Sequence, residues 1–309
     1  MSLPDMPLGS STILMRPLGV GTNTWKEEVS RNSDSTNPEA AVQGSLAVGV
    51  HFFDTAEIYN SGASESALGR ALRGSDLDAF IATKFAPLPW RLTSRSLHGA
   101  LAASLSRLQL DSVDLYQIHF PITLLSIHSL MDRLAEAVEQ GRIKHAGVSN
   151  YNAGQMRAAH SALARRGIPL VSNQVNYSLL HRQPERNGLL AACRELDVTL
   201  IAYFPLASGM LTGKYRFGGQ QARGFRRFGQ NFRQPERVEP LLRALDQIGQ
   251  THGRTSGQVA INWLARQDNV LPIPGARNAR QARENAGAID FVISDVEAAR
   301  LDDLSNSLS

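Results

Sequence analysis

Two periodicities alternate along this chain. Short apolar or β-branched runs, bounded by turn-forming residues, are separated by longer stretches whose apolar positions recur every three or four residues. The short runs begin with Pro17-Leu-Gly-Val-Gly21 and His51-Phe-Phe-Asp54, followed by Phe80-Ile-Ala-Thr-Lys84 and Val113-Asp-Leu-Tyr-Gln-Ile-His119. Four more lie near Lys144–Ser149, Leu170–Val175, Val198–Tyr203 and Val270–Pro274. Helical patterns fill the gaps, and several carry their own start and stop signals. Asn152 with Gln155, Thr255 with Gln258 and Ser294 with Glu297 each read as a capping box, in which two side chains satisfy free amides of a first turn. Gly141 and Gly167 stand where helices should end.

Eight strands, most followed by a helix and spaced roughly thirty residues apart, predict an α/β chain folded as a (β/α)8 TIM barrel. The residues before 16 predict a short hairpin across the barrel floor, and the C-terminal residues a closing helix. The interval from Tyr203 to Val270 is the exception, holding a glycine-rich basic stretch and then helices near 238–250 and 256–267. No linker divides the chain, so residues 1–309 are read as one domain. The competing open, doubly wound sheet needs a glycine fingerprint. Its nearest candidate, Gly19-Val-Gly21-Thr-Asn-Thr24, lacks the third glycine and no helix pattern follows. No tyrosine is followed four residues later by lysine, as short-chain dehydrogenases would require.

Composition narrows the class. At 42% hydrophobic and 19% charged residues the chain is ordinary globular material, and no apolar run approaches the roughly 18 residues of a membrane helix. The N-terminus lacks the basic start and apolar core of a secretory signal, and Cys193 is the only cysteine; both fit a cytoplasmic protein without a disulfide. The net charge of +4 is local. Lys214, Arg216, Arg223, Arg226, Arg227, Arg233 and Arg237 face a single acid, Glu236, and the rest of the chain is slightly acidic. One basic loop suggests a local anion, not a surface for nucleic acid. Interleaved Phe217, Phe225, Phe228 and Phe232 would also suit single-stranded nucleic acid.

Residues at the C-terminal ends of barrel strands meet at one mouth. Asp54, Lys84 and His119 end three successive predicted strands, and Tyr59 lies just after the first of them. Each alone is ordinary, as a helix cap, an ion-pair partner or a packing residue; their coincidence on successive strands marks a candidate site. A free tyrosine, with a pKa of about 10, holds its proton too tightly to be an efficient acid. A neighbouring ammonium would lower that pKa, a carboxylate would hold the ammonium, and a neutral histidine would orient the substrate oxygen.

The run Gly49-Val-His-Phe-Phe-Asp-Thr-Ala-Glu-Ile-Tyr59 resembles the aldo-keto reductase signature. Ile81-Ala-Thr-Lys84, Asp114-Leu-Tyr-Gln-Ile-His119, Gly147-Val-Ser-Asn150, Asn173-Gln-Val-Asn-Tyr177 and Pro272-Ile-Pro-Gly-Ala-Arg-Asn278 resemble further segments of that family, in order. The resemblance implies a catalytic set of Asp54, Tyr59, Lys84 and His119 and an NADPH/NADP+ cofactor. By position it assigns the nicotinamide to Ser149, Asn150, Gln174 and Tyr203, and counts Gly21, Thr22 and Asp54 among the cofactor-binding residues. Pro205, Leu206, Ser208 and Lys214 fall to the pyrophosphate, and Gly275, Arg277, Gln281, Glu284 and Asn285 to the adenosine. Trp25, Trp90 and Phe120 would line an apolar mouth for a small-molecule carbonyl substrate. The loop 213–237 would fold over the cofactor.

The chain departs from the family pattern at His51, Asn60 and Asn23, where asparagine, glycine and an aromatic are frequent. It also stops soon after its last helix, without the long C-terminal loop of aldose-reductase-like members, and so resembles the bacterial, plant and channel-β-subunit branch. The expectation is an NADPH-dependent carbonyl reductase. An NADPH-holding regulatory protein like the potassium-channel β subunits is the alternative. A metal-dependent barrel hydrolase is disfavoured, because no His-x-His or carboxylate pair stands at a strand end with ligand spacing.

Overall fold

A computed structural model describes residues 2–26, 36–73, 78–121, 124–215 and 230–308. The chain opens with an antiparallel hairpin, β1 (Met6–Pro7) and β2 (Leu14–Met15). Leu8, in its turn, is fully buried against Phe52, Leu115, Val171 and Leu271, so the hairpin plugs one end of the central sheet as expected. That sheet has eight parallel strands in chain order: β3 (Gly19–Gly21), β4 (Phe52–Asp54), β5 (Phe80–Phe85), β6 (Val113–Ile118), β7 (Ile143–Ser149), β8 (Leu170–Asn176), β9 (Thr199–Tyr203) and β10 (Val270–Pro272). Its ends meet where Gly21 N donates to Pro274 O (3.0 Å), beside a bridge to Gly275. The architecture is the (β/α)8 barrel.

Helices α1 (Pro38–Leu46), α2 (Ala63–Leu72), α3 (Ser96–Leu108), α4 (Ile127–Glu139) and α5 (Ala153–Ala164) separate successive strands up to β8. The short α6 (Gln183–Arg186) and α7 (Leu189–Glu195) lead to β9, and α8 (Gln230–Arg233), α9 (Pro235–His252) and α10 (Ser256–Ala265) lead to β10. Last come α11 (Ala279–Ala286) and α12 (Asp295–Asn306). All three expected capping boxes form, at the starts of α5, α10 and α12. Gly141 and Gly167 end their helices with φ of 68° and 69°, a conformation that costs glycine nothing. Of the loop 213–237, residues 216–229 lie outside the described residues, and with them most of the expected clamp.

Strand alternation creates two cores. Phe53, Ile81, Tyr116 and Ile118 point outward into the layer beneath the helices. Phe52, Ala82, Leu115, Ile201 and Leu271 fill the barrel interior. Because side chains two apart share a face, the next interior positions toward the strand ends belong to Asp54, Lys84 and Gln117. An apolar floor thus carries a polar layer directly above it. Gly147 makes room for that layer, since a Cβ there would run into Ser172 Oγ and approach Gln117 Cγ to 2.9 Å. No helix among the described residues is long and apolar enough to cross a membrane.

Candidate active site

Register assembles the centre of the mouth. Asp54 lies beside Ala82 on β5, and Lys84, two residues further on, lies beside Gln117 on β6. The Lys84 ammonium is fully buried, and its three N–H groups have three acceptors: Asp54 Oδ2 at 2.6 Å, Thr55 O at 2.8 Å and Tyr59 Oη at 3.1 Å. Burying a charge is tolerable only when such partners are complete. Asp54 Oδ1, in turn, accepts from Gln174 Nε2 at 2.7 Å and Gln117 Nε2 at 3.4 Å. Lysine has no fourth donor and no acceptor. Tyr59 Oη therefore receives a hydrogen bond from Lys84 and keeps its own proton for another acceptor.

Tyr59 sits where the chain turns sharply. Asn60, Ser61 and Gly62 follow with φ of 49°, 56° and 91°, all left-handed. Asparagine tolerates that region better than most residues. Here its Nδ2 also donates to Asn23 O (3.0 Å) and Trp25 O (2.8 Å), tying the tyrosine loop to the segment after β3. Asn60 thus supports the turn that glycine elsewhere makes by freedom alone.

The electrostatics differ from expectation in one respect. Burial raises the Tyr59 phenol above its ordinary value, and Asp54 adds to this; Lys84 pulls it down but does not prevail. The expected net lowering is therefore absent, because desolvation penalises the phenolate more than one shared ammonium stabilises it. Burial works against the Lys84 charge, yet Asp54 and Tyr59 outweigh it and raise its pKa. Burial, with help from Lys84, lowers His119 to about 3, so the ring is neutral near pH 7. The His119 ring meets Tyr59 edge-on at 5.8 Å and stacks flat on Phe120 at 4.2 Å. Its Nδ1 is buried without a hydrogen-bond partner. The tautomer with the proton on Nε2 leaves no buried donor orphaned there.

Ser149, Asn150, Gln174 and Tyr203 form one hydrogen-bonded group. Ser149 Oγ donates to Gln174 O (2.8 Å), and Asn150 Nδ2 to His119 O (3.0 Å) and Ser149 Oγ (3.1 Å). Tyr203 Oη donates to Asn150 Oδ1 (2.9 Å), which leaves its half-exposed ring beside these amide and hydroxyl groups. Thr22 differs: it is buried, with its hydroxyl bonded to Asp54 O and Ser64. After β9, Pro205 is buried, and Leu206 and Ser208 are partly covered in a turn where Ala207, Ser208 and Gly209 are all left-handed. Lys214 is exposed, its ammonium 5.0 Å from the Tyr215 ring centre.

The third group surrounds the start of α11, joined to the first through the Gly21–Gly275 bridge. Asn278 caps the Gln281 amide, and Gln281 Oε1 accepts from Arg277 N (3.0 Å). Asn285 Nδ2 donates to Gly275 O (3.2 Å), and Glu284 is exposed, 3.9 Å from Arg280. The Arg277 side chain is exposed. A flat ring flanked by amide and hydroxyl groups, with lysine and arginine further out, is a donor set that fits a planar amide-bearing ring linked to phosphates.

Two placements separate the expected mouth residues. Trp90 is 72% exposed and Phe120 is at the rim, whereas Trp25 is fully buried with its indole N–H on Ala276 O (2.7 Å). Trp25 is a packing residue: it has no free face to offer a substrate. Sequence reasoning missed Gln117, although its place two residues before His119 puts it on the same interior face. It also missed Glu57 and Arg91, which join the two loops carrying Tyr59 and Trp90; nothing in their spacing marks them. The described residues contain no cluster of three metal-ligating side chains.

The model of the aldo/keto reductase family matches residues 17–306. Pyridoxal reductase, chloroplastic, from Arabidopsis thaliana is 36% identical over 306 residues, covering 93% of this chain and 82% of that protein. Aldo-keto reductase yakc (NADP(+)) from Schizosaccharomyces pombe is 30% identical, covering 96% and 89%. Among solved structures, an aldo/keto reductase from Klebsiella pneumoniae in complex with NADP and acetate has a TM-score of 0.79 at 26% identity, with 98% and 96% of the two chains covered.

Proposed function

Since the chain belongs to the aldo/keto reductase family, we propose that it reduces the carbonyl of an aldehyde or ketone to an alcohol, with NADPH as reductant and Tyr59 as proton donor. The observation that carries this reading is the Lys84 ammonium, fully satisfied by Asp54, Thr55 and Tyr59. Bound NADPH supplies the hydride that reaches the carbonyl carbon. Ser149, Asn150, Gln174 and Tyr203 would hold its nicotinamide end, Ser208 and Lys214 its phosphates, and Gly275, Arg277 and Asn285 its adenosine end.

Protonation falls to this chain's own residues. Tyr59 keeps its proton at neutral pH, because burial raises its pKa. As negative charge develops on the substrate oxygen, the phenol O–H, left free by the Lys84 bond, is the donor that meets it. The phenolate that follows is stabilised by Lys84, whose charge Asp54 balances. His119, neutral, donates Nε2–H to the same oxygen and orients it. Positioned acid catalysis of this kind is worth about 10²–10⁴-fold. Tyr59→Phe keeps the ring and removes only the acidic proton. It should lower turnover by at least about 10²-fold while NADPH binding, followed by fluorescence, stays intact. The turnover assay follows NADPH loss across an aldehyde panel that includes pyridoxal. Turnover within about threefold of wild type would show that Tyr59 is not the acid.

A further inference from the structure

Two loops carry the chemistry on one side of the mouth, and one ion pair crosses between them. Glu57 lies two residues before Tyr59; Ala86 lies two residues after Lys84. Glu57 Oε1 accepts from Ala86 N (2.7 Å) and Arg91 Nη1 (2.5 Å), and Oε2 from Arg91 Nη2 (2.8 Å). Arg91 Nη1 also donates to Ala86 O (2.7 Å), and its guanidinium lies 4.8 Å from the Phe85 ring centre. The Glu57 side chain is 7% exposed. A bidentate, largely buried pair closed on both backbone polar groups of one residue, Ala86, is a rigid connection. Beside its two members the chain is open to solvent: Ile58 after Glu57 is exposed, and so are Trp90 and Leu92 on either side of Arg91.

We propose that Glu57 and Arg91 form a positioning latch, which holds the Tyr59 loop on the end of the Lys84 strand and, through the same arginine, presents Trp90 and Leu92 as an apolar wall for the body of an aromatic carbonyl substrate. The proposal rests on Tyr59 being the proton donor. Tyr59 Oη and Lys84 Nζ sit on different segments, and their 3.1 Å contact depends on the relation between them. The latch and the contacts of Lys84 itself join those segments. A displacement of about 1 Å near reacting atoms can cost about 10²-fold.

The test compares Glu57→Gln, Arg91→Met, their double variant and Arg91→Lys, using 4-nitrobenzaldehyde and propanal as substrates, with Tyr59→Phe alongside. Gln in place of Glu57 sets an amide donor against Arg91, and Met in place of Arg91 keeps the packing on Phe85. Each single variant should lower kcat at least about tenfold with both aldehydes, because register is lost, and raise KM only for the aromatic one, because the wall is lost. The double variant should be no worse than about twofold below the poorer single one, since one interaction is removed twice. Arg91→Lys should fall between wild type and Arg91→Met, and NADPH affinity should hold within about twofold in all. A change that merely loosens the fold would not separate kcat from KM by substrate. If Tyr59→Phe is inactive while Arg91→Met keeps kcat within about threefold, the latch is wrong and the acid assignment stands. Equal KM changes for both aldehydes would remove the wall. Full turnover by Tyr59→Phe would instead refute the acid assignment. Arg91 is the more exposed partner, so its variants carry the test if Glu57→Gln does not fold.

Discussion

His119 illustrates how one buried ring links stability to pH. Burial and Lys84 lower its pKa from 6.5 to about 3. Between those values the unfolded chain binds a proton that the folded one refuses, so stability rises with pH across that window. The contribution is complete above about pH 6.5 and is lost as pH falls toward 3. The slope approaches about 1.4 kcal/mol per unit. Wild type should therefore lose about 2 kcal/mol more than His119→Gln between pH 7 and pH 5, measured by urea unfolding. Groups common to both proteins cancel in the comparison. Parallel losses would mean that the ring is solvated or paired in solution. The same neutrality requires that kcat/KM show no inflection from His119 between pH 5 and 8.

Helices α2 and α3 show how packing overrides intrinsic preference. Replacing glycine by alanine inside a helix ordinarily stabilises by about 1 kcal/mol. At Gly99 in α3 a Cβ would meet nothing within 4 Å, so Gly99→Ala should gain up to about 1 kcal/mol. At Gly69 in α2 the Cβ would collide with the Leu108 carbonyl at the end of α3 and lie 2.8 Å from Arg107 O. Backbone cannot yield as a side chain can, and overpacking costs about 1–3 kcal/mol. Gly69→Ala should therefore be neutral to destabilising by up to about 2 kcal/mol, once the helical gain is subtracted. Denaturant midpoints of the two variants test this: a Gly69→Ala midpoint as high as that of Gly99→Ala would show that α2 and α3 sit further apart. The spacing matters, because α2 begins directly after the Tyr59 turn.

At the scale of the whole molecule, cofactor choice depends on groups far from the mouth. A preference for NADPH over NADH needs cations near the 2′-phosphate. The start of α11 is less available to an anion than a bare helix end, since the Asn278 side chain already occupies the Gln281 amide and Gln281 Oε1 takes the Arg277 amide just before the cap. That shifts the burden to the exposed Arg277 side chain. One charge-assisted hydrogen bond is worth roughly 1.5–3 kcal/mol, or about 10- to 100-fold. NADPH should be preferred at least about tenfold in kcat/KM, with most of the preference lost in Arg277→Ala. Equal use of both cofactors by wild type would refute the preference; an unchanged ratio in the variant would exonerate Arg277.

Much of this was legible in the chain because it is local. Alternating apolar runs specify strands, Asn152 with Gln155 specifies a helix start, and strand-end positions bring Asp54, Lys84 and His119 to one rim, since a closed parallel barrel offers no other arrangement. Long-range geometry decided the rest. That Trp25 turns inward onto Ala276, 251 residues away in sequence, follows from closure between β3 and β10, which no local pattern encodes. That burial outweighs Lys84 at Tyr59 depends on how much water the assembled loops exclude. The Glu57–Arg91 pair exists only because two loops meet at the mouth. Residue type and spacing determine which groups stand at the strand ends; packing alone sets their distances, their exposure and thus their proton affinities.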